Sequence, residues 1–204
     1  MGKVIARLSM SLDGFIAGPN DGLENPLGDG GQHLFKWYSS GDTELKWPNG
    51  AMTSRVSAVS AAHLQDMMAT VGALLTGRKT FDIAHAWGGK HPLDVPVVVM
   101  THAAPREWAE KESVFTFVSE GVVSAVARAN QLAGSNNVAV GTANVAQQCL
   151  KAGLLDEIHI DLAPVLLGGG IRLFEHLGIE PIELERTQAV EAPGVTHLRF
   201  RVVK

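Results

Sequence analysis

The chain has 204 residues, 46% of them hydrophobic and 19% charged, with a net charge of −4 and a sequence pI ≈ 6.0. Such a composition suits one compact folded domain and excludes a disordered chain, and with no Lys/Arg cluster longer than Arg78-Lys79 it leaves nucleic acid and anionic membrane surfaces without electrostatic support. A lone cysteine, Cys149, excludes an internal disulfide and a cysteine-rich zinc site, and the lack of a basic-then-apolar leader or an apolar run of spanning length sets the expectation of a cytoplasmic protein.

In chain order, Lys3 to Met10 alternates as a strand and runs into the glycine-marked loop Ser11 to Asn20. The segment 20–53 has little periodicity but carries Phe35, Trp37, Tyr38 and Trp47, which makes it a covering loop or lid. Ser54 to Thr70 has helical spacing of Val56, Val59, Leu64, Met67 and Met68, and Gly72 separates it from the strand Ala73 to Thr76. Gly77 then opens another helix that carries Arg78 and Lys79. Val95 to Met100 is a β-branched strand covered on both faces, Pro105 to Glu112 a short helix and Val114 to Val118 a strand. Ser119 to Ala133 reads as a helix with Ser119 as N-cap and Val122, Val123, Val126 and Leu132 inward.

The densest stretch is Asn137 to Phe174. It holds a strand ending at Gly141, a helix from Thr142 to Ala152 stopped by Gly153, a second strand over Glu157 to Leu162, and the triple glycine Gly168 to Gly170. A strand, a tight turn and a helix start present unpaired N–H groups that suit a phosphate. At the end, Pro181 to Glu191 and Thr196 to Val203 flank Ala192-Pro193-Gly194 as a hairpin. Strand-helix alternation closed by a hairpin predicts an α/β protein with a mostly parallel central sheet, one domain over residues 1–204.

Thr76-Gly77-Arg78, Thr101-His102 and Gly141-Thr142 each follow a strand, and ligands of open α/β sheets bind where such carboxyl ends converge. A dinucleotide satisfies all three, with the helix starts at Thr80 and Thr142 supplying N–H groups and Arg78 a charge. No G-x-G-x-x-G lies between a strand and a helix and no G-x-x-x-x-G-K-[ST] occurs, which argues against Rossmann and P-loop sites. No H-E-x-x-H or H-x-x-x-H is present, so no metal site is expected, and most of the histidines are expected at the surface or in turns, with His102 kept as a site candidate.

SLDGFIAGPN, LLTGRKTFD, PVVVMTH and VAVGTANVAQQCLKAGLLDEIHIDLAPVLLGGGIRLFE, in that order, resemble the dihydrofolate reductase superfamily. The likeness is to the branch of the reductase domain of bifunctional riboflavin-biosynthesis deaminase-reductases. It implies a sheet of about eight strands flanked by helices and an NADPH-dependent reductase, most like 5-amino-6-(5-phosphoribosylamino)uracil reductase. Dihydrofolate reductase activity and a non-catalytic NADPH-binding module are the alternatives. Carried over by position, the resemblance puts Gly77, Arg78, Lys79 and Thr80 near the adenosine phosphate and Thr101 and His102 beside the adenine ribose. Gly141, Thr142, Ala143, Asn144 and Val145 would cradle the pyrophosphate, and Ser9, Ile16, Gly168 and Gly169 would lie beside the nicotinamide. Relatives commonly have two glycines where this chain has Gly141-Thr142.

The family's carboxylate on the helix after the first strand has no counterpart here, because that helix reaches its first acid only at Asp66. Asp13 of the SLDG motif is then the candidate catalytic carboxylate, and Phe35, Trp37 and Tyr38 are candidate substrate contacts. With one cysteine the chain lacks the zinc deaminase half of the bifunctional relatives. A homodimer paired through the terminal hairpin completes the expectation.

Overall fold

The computed structural model describes residues 2–109, 114–175, 177–178 and 180–204. Strand β1 (Val4–Ser11) and the short β2 (Phe15–Ala17) open the chain. The segment 20–53 follows, with a 3-10 helix over Gly31–Ser39 and the hairpin of β3 (Thr43–Lys46) and β4 (Thr53–Val56). Next come α1 (Ala58–Thr70), β5 (Val71–Gly77), α2 (Arg78–Ile83), β6 (Val97–Met100) and α3 (Arg106–Ala109). The chain continues through β7 (Phe115–Val118), α4 (Val122–Ala133), β8 (Asn137–Val140) and α5 (Ala143–Lys151). Strands β9 (Glu157–Ala163), β10 (Ile171–Arg172), β11 (Leu184–Ala192) and β12 (Val195–Val202) complete it.

Eight strands form one sheet in the order β11-β12-β9-β1-β8-β5-β6-β7. Pairing is parallel from β9 across to β7, whereas β12 runs antiparallel to β9 and β11 antiparallel to β12. The α/β architecture, with a mostly parallel sheet and a C-terminal hairpin, is the one the sequence predicts. Successive side chains of a strand face opposite sides, so Val97 and Val99 enter one core and Val98 the other. On one side α4 and α5 lie on the sheet through Ala125, Ala129, Ala146 and Cys149, small residues that let helix backbones approach closely. On the other side α1, α2 and the 20–53 segment supply Leu64, Met67, Phe81, Trp37 and Trp47.

Several boundaries differ from expectation. The helix read from Ser54 begins at Ala58, because Thr53–Val56 pairs with β3 and Ser57 caps the helix by accepting from the Ser60 N–H at 3.1 Å. Val59 consequently points outward. The helix read from Ser119 starts at Val122; Gly121, with φ 88, takes the N-cap position, and Val123 is exposed rather than inward. Of the helix expected over 105–112, Arg106–Ala109 is observed and 110–112 lie outside the described residues. The covering segment is a packed part of the protein, since Leu34 and Trp37 are fully buried. No helix among the described residues is long and apolar enough to cross a membrane.

Candidate active site

The carboxyl ends of the parallel strands open into one cavity of about 1050 Å³. It takes Asp161 from β9, Ser9 from β1, Gly141 after β8, Gly77 from β5 and Met100 from β6, in the order in which those strands lie in the sheet. Four inter-strand steps separate the outer two, about 19 Å at the usual strand spacing. The floor is therefore long and built by strand register, with Ser9 directly beside Asp161.

Toward β5 and β6 the lining is glycine turns, a helix start and cations. Thr142 occupies the N-cap position of α5, yet its side chain makes no capping bond. Its Oγ1 is buried with no hydrogen-bond partner, and it lies close to Gly77. The first N–H groups of α5 have no carbonyl inside the helix, so this start pairs orphan donors with an orphan hydroxyl, a set that fits an anionic phosphate. Thr142 has φ −141, an extended backbone open to any residue, so a second glycine is not required here. Arg78 is braced: its Nε donates to both Asp82 carboxylate oxygens at 2.8 and 2.9 Å and its Nη1 to the Ala103 carbonyl at 2.9 Å. Lys79 pairs with Asp21 of the 20–53 segment at 2.7 Å, joining the two sides of the cavity.

Toward β9 the floor is charged and sealed. Asp161 is 5% exposed and accepts from His197 Nδ1 on Oδ1 at 2.7 Å, while Arg7 Nη2 stands 4.0 Å from Oδ2. His197 Nε2 meets the Ser60 hydroxyl at 3.0 Å, and that hydroxyl meets Ser57 Oγ at 3.2 Å. A carboxylate only accepts, so His197 must donate through Nδ1, and in the neutral ring Nε2 accepts from Ser60. Arg7 in turn only donates, so His63 Nε2, 2.7 Å from Arg7 Nη2, is an acceptor. Burial, reinforced by Arg7, holds His63 below its ordinary pKa, so its 3.2 Å approach to Asp161 is not an ion pair. Burial alone would raise the Asp161 carboxyl; the Arg7 charge and the His197 bond overcome it and keep it well below the usual range.

His63, Asp161 and His197 bring their ligand atoms within 4.8 Å of one another. A divalent ion there would face the Arg7 guanidinium already bonded to His63, and both ring nitrogens of His197 are engaged. The group is an ion pair of Arg7 and Asp161 at 4.0 Å, each partner held by a histidine hydrogen bond, rather than a metal cage. Phe35, Tyr38 and Trp47 wall the cavity above it. Burial, then the Asp161 charge, pushes the Tyr38 phenol above its ordinary range, so it keeps its proton.

Residues 2–197 match the model of the RibD C-terminal domain family. The chain belongs to that family. YwjB of Bacillus subtilis (strain 168), an uncharacterized protein, is 30% identical over 175 residues, covering 86% of this chain and 84% of YwjB. Among solved structures, a protein of Shewanella sp. PV-4 ascribed to riboflavin biosynthesis aligns over 100% of both chains with a TM-score of 0.68 at 23% identity. The dihydrofolate reductase of Enterococcus faecalis, solved with NADP(H), aligns over 100% of this chain and 98% of its own with a TM-score of 0.57 at 13% identity. Acinetobacter baumannii RibD aligns over 100% of this chain and 59% of its own, with a TM-score of 0.59 at 16% identity. These likenesses show a dihydrofolate-reductase-like fold, and family membership places the chain in a reductase-like group.

In this RibD-type domain the cavity gathers Ser9, Ile16, Gly77, Arg78, Lys79, Thr80, Thr101, His102, Gly141, Thr142, Ala143 and Asn144, as well as Phe35 and Tyr38. Five other candidates lie apart from its lining. Val145 is fully buried in the α4–α5 core. Trp37 is buried against Tyr38 and the edge of His197, so it supports the wall without forming it. Gly169 stands against the Pro19 ring, and a Cβ on neighbouring Gly170 would lie 2.0 Å from the Ala17 carbonyl, so at Gly170 the missing side chain lets backbone meet backbone. Asp13 holds that turn in place by accepting from the Leu167 and Gly168 N–H groups at 3.1 and 2.7 Å and from Ser11 Oγ at 2.6 Å. The Ser11 bond leads in lowering its pKa to about 2, so Asp13 carries no proton to donate near neutrality.

Sequence reasoning missed Arg7, Asp161, His197 and His63. Three of the eight histidines, His63, His159 and His197, are buried, and none of these three was singled out from the sequence. The available signal was Asp161 inside IHIDLAPV, a carboxylate in a strand-forming run, flanked directly by Ile160 and Leu162.

Proposed function

We propose that the chain is a single-unit NADPH-dependent reductase acting on a small nitrogen heterocycle, most like 5-amino-6-(5-phosphoribosylamino)uracil. One observation carries this reading: the uncapped start of α5, with the buried unpartnered Thr142 hydroxyl, opens into the same cavity as the sealed Arg7–Asp161 floor. Groups suited to an anion and groups suited to a polar ring thus line the same cavity. Gly141, Thr142, Ala143 and Asn144 would hold the pyrophosphate, with Gly77, Arg78, Lys79, Thr80, Thr101 and His102 toward the adenosine end. Ser9 and Ile16 would flank the nicotinamide, which when bound supplies the hydride. The chain's own residues orient the second reactant, and Phe35, Tyr38 and Trp47 keep water from it. Tyr38 holds a phenolic proton within the cavity. Pairing of two copies through the exposed edge of β11 is part of the same proposal.

The test is NADPH consumption followed by absorbance with the aminouracil, dihydrofolate and simple cyclic imines. Turnover on the aminouracil is expected. Saturable NADPH binding without turnover on any pyrimidine, pterin or imine contradicts catalysis and leaves a binding module.

A further inference from the structure

The residues that would choose the substrate lie in the charged floor. Asp161 has two inequivalent oxygens. Oδ1 takes the His197 bond, whereas Oδ2, in a side chain more than nine-tenths buried, has no hydrogen-bond partner among the described residues and lies on the cavity wall. The nearest cation, Arg7 at 4.0 Å, is beyond hydrogen-bond reach. This oxygen is not sealed away from the cavity, so it is free to accept from a ligand seated there. The donor chain Ser57 to Ser60 to His197 to Oδ1 fixes which oxygen that is. Arg7 also lines the cavity beside it.

We propose that Asp161 is the specificity-determining residue of this site, accepting a ring N–H of the substrate on Oδ2 while the Arg7 guanidinium faces the adjacent ring carbonyl. An N–H next to a C=O is the edge of a cyclic ureide or lactam, and the aromatic walls admit it as a flat ring. His197 is a positioning residue that holds the carboxylate through Oδ1. The assignment rests on the reductase reading only in naming the ring as substrate; the recognition itself needs no cofactor.

The test uses two probes, 5-aminouracil and its 1,3-dimethyl derivative, which keeps both carbonyls and loses both ring N–H groups. Binding is read from quenching of the cavity tryptophan Trp47, with NADPH titrated separately. The intact protein should prefer the N–H probe by about tenfold or more, as sites built around a hydrogen bond reject partners that lack it. In Asp161→Asn the amide oxygen must turn to accept from His197, which points the amide NH₂ into the cavity, so a donor replaces the acceptor. That variant should lose the preference and bind NADPH as the intact protein does. His197→Asn, which keeps a donor near Nδ1, should retain more of the preference than His197→Ala, whereas a merely structural role would lower binding of both probes alike.

Equal binding of the two probes by the intact protein, or binding of neither, overturns the assignment even if the variants do not fold. A preserved preference in folded Asp161→Asn also overturns it. If NADPH fails to bind while the probes are discriminated, the reductase reading fails and the role of Asp161 stands.

Discussion

At the α5 end of the cavity the polar groups are backbone N–H groups, one hydroxyl and two cations shared with partly exposed acids, Arg78 with Asp82 and Lys79 with Asp21. At the β9 end they are a buried carboxylate and a guanidinium whose side chain keeps 11% of its exposure, braced by two imidazoles and two serine hydroxyls. Water screens the first set and hardly reaches the second. Changes at the α5 end should therefore act on ligand affinity, with salt dependence, whereas changes at the β9 end should act on folding and on the choice of ring together.

The largest effect should come from Asp161→Ala. It leaves Arg7 buried without its counter-charge, and a loss of about 3–5 kcal/mol is expected in urea unfolding. A loss below about 1 kcal/mol would show that water reaches this floor and erase the contrast between the two ends. Acid comes next. Burial, first among the causes, lowers the pKa of His159 to about 4 and also lowers that of His63. Between 6.5 and about 4 the unfolded His159 ring binds a proton that the folded ring refuses. Stability is thus lost as pH falls through that window, by at most about 1.4 kcal/mol per pH unit for each such group. Urea midpoints at about pH 7 and about pH 4.5 check this, and a flat profile would contradict the buried neutral rings.

At the α5 end the effects should be smaller and seen in binding. Arg78→Ala should weaken NADPH about tenfold more than NADH, the scale of one charge-assisted contact to a phosphate; equal losses sink the NADP preference. Thr142→Val removes a hydroxyl with no protein partner, so unfolding should be unchanged while NADPH affinity falls about fivefold, a hydrogen bond's usual net worth. Lys79→Ala should cost less than about 1 kcal/mol in any assay, and less still at high salt, because the Lys79 end of its pair with Asp21 is largely open to water.

The same contrast explains what could be read from the sequence. The α5 end is made of contiguous motifs, Gly77-Arg78-Lys79-Thr80, Thr101-His102 and Gly141 to Asn144, each set by a strand end and the turn after it. Local signals therefore sufficed to bring those residues to one cavity, as strand-helix alternation did for the sheet. The floor is made of Arg7, Ser60, His63, Asp161 and His197, spread over 191 sequence positions and joined only by the β1–β9–β12 register and by α1 packed across it. Register sets such partners, and although each strand's own pattern fixes which face is buried, it does not say which distant strand lies beside it. A turn and a ligand site both use Asp and Gly, and the Leu167 and Gly168 N–H bonds to Asp13 show that these residues build a turn, apart from the cavity lining.

The central claim, that one cavity holds a cofactor at its α5 end and a heterocycle at its β9 end, is tested most directly by titrating NADPH into the intact protein, Thr142→Val and Asp161→Asn while following Trp47 fluorescence. Saturable binding by the intact protein, weakened in Thr142→Val and unchanged in folded Asp161→Asn, is the predicted result. Absence of saturable binding, or an equal loss in both variants, would contradict it.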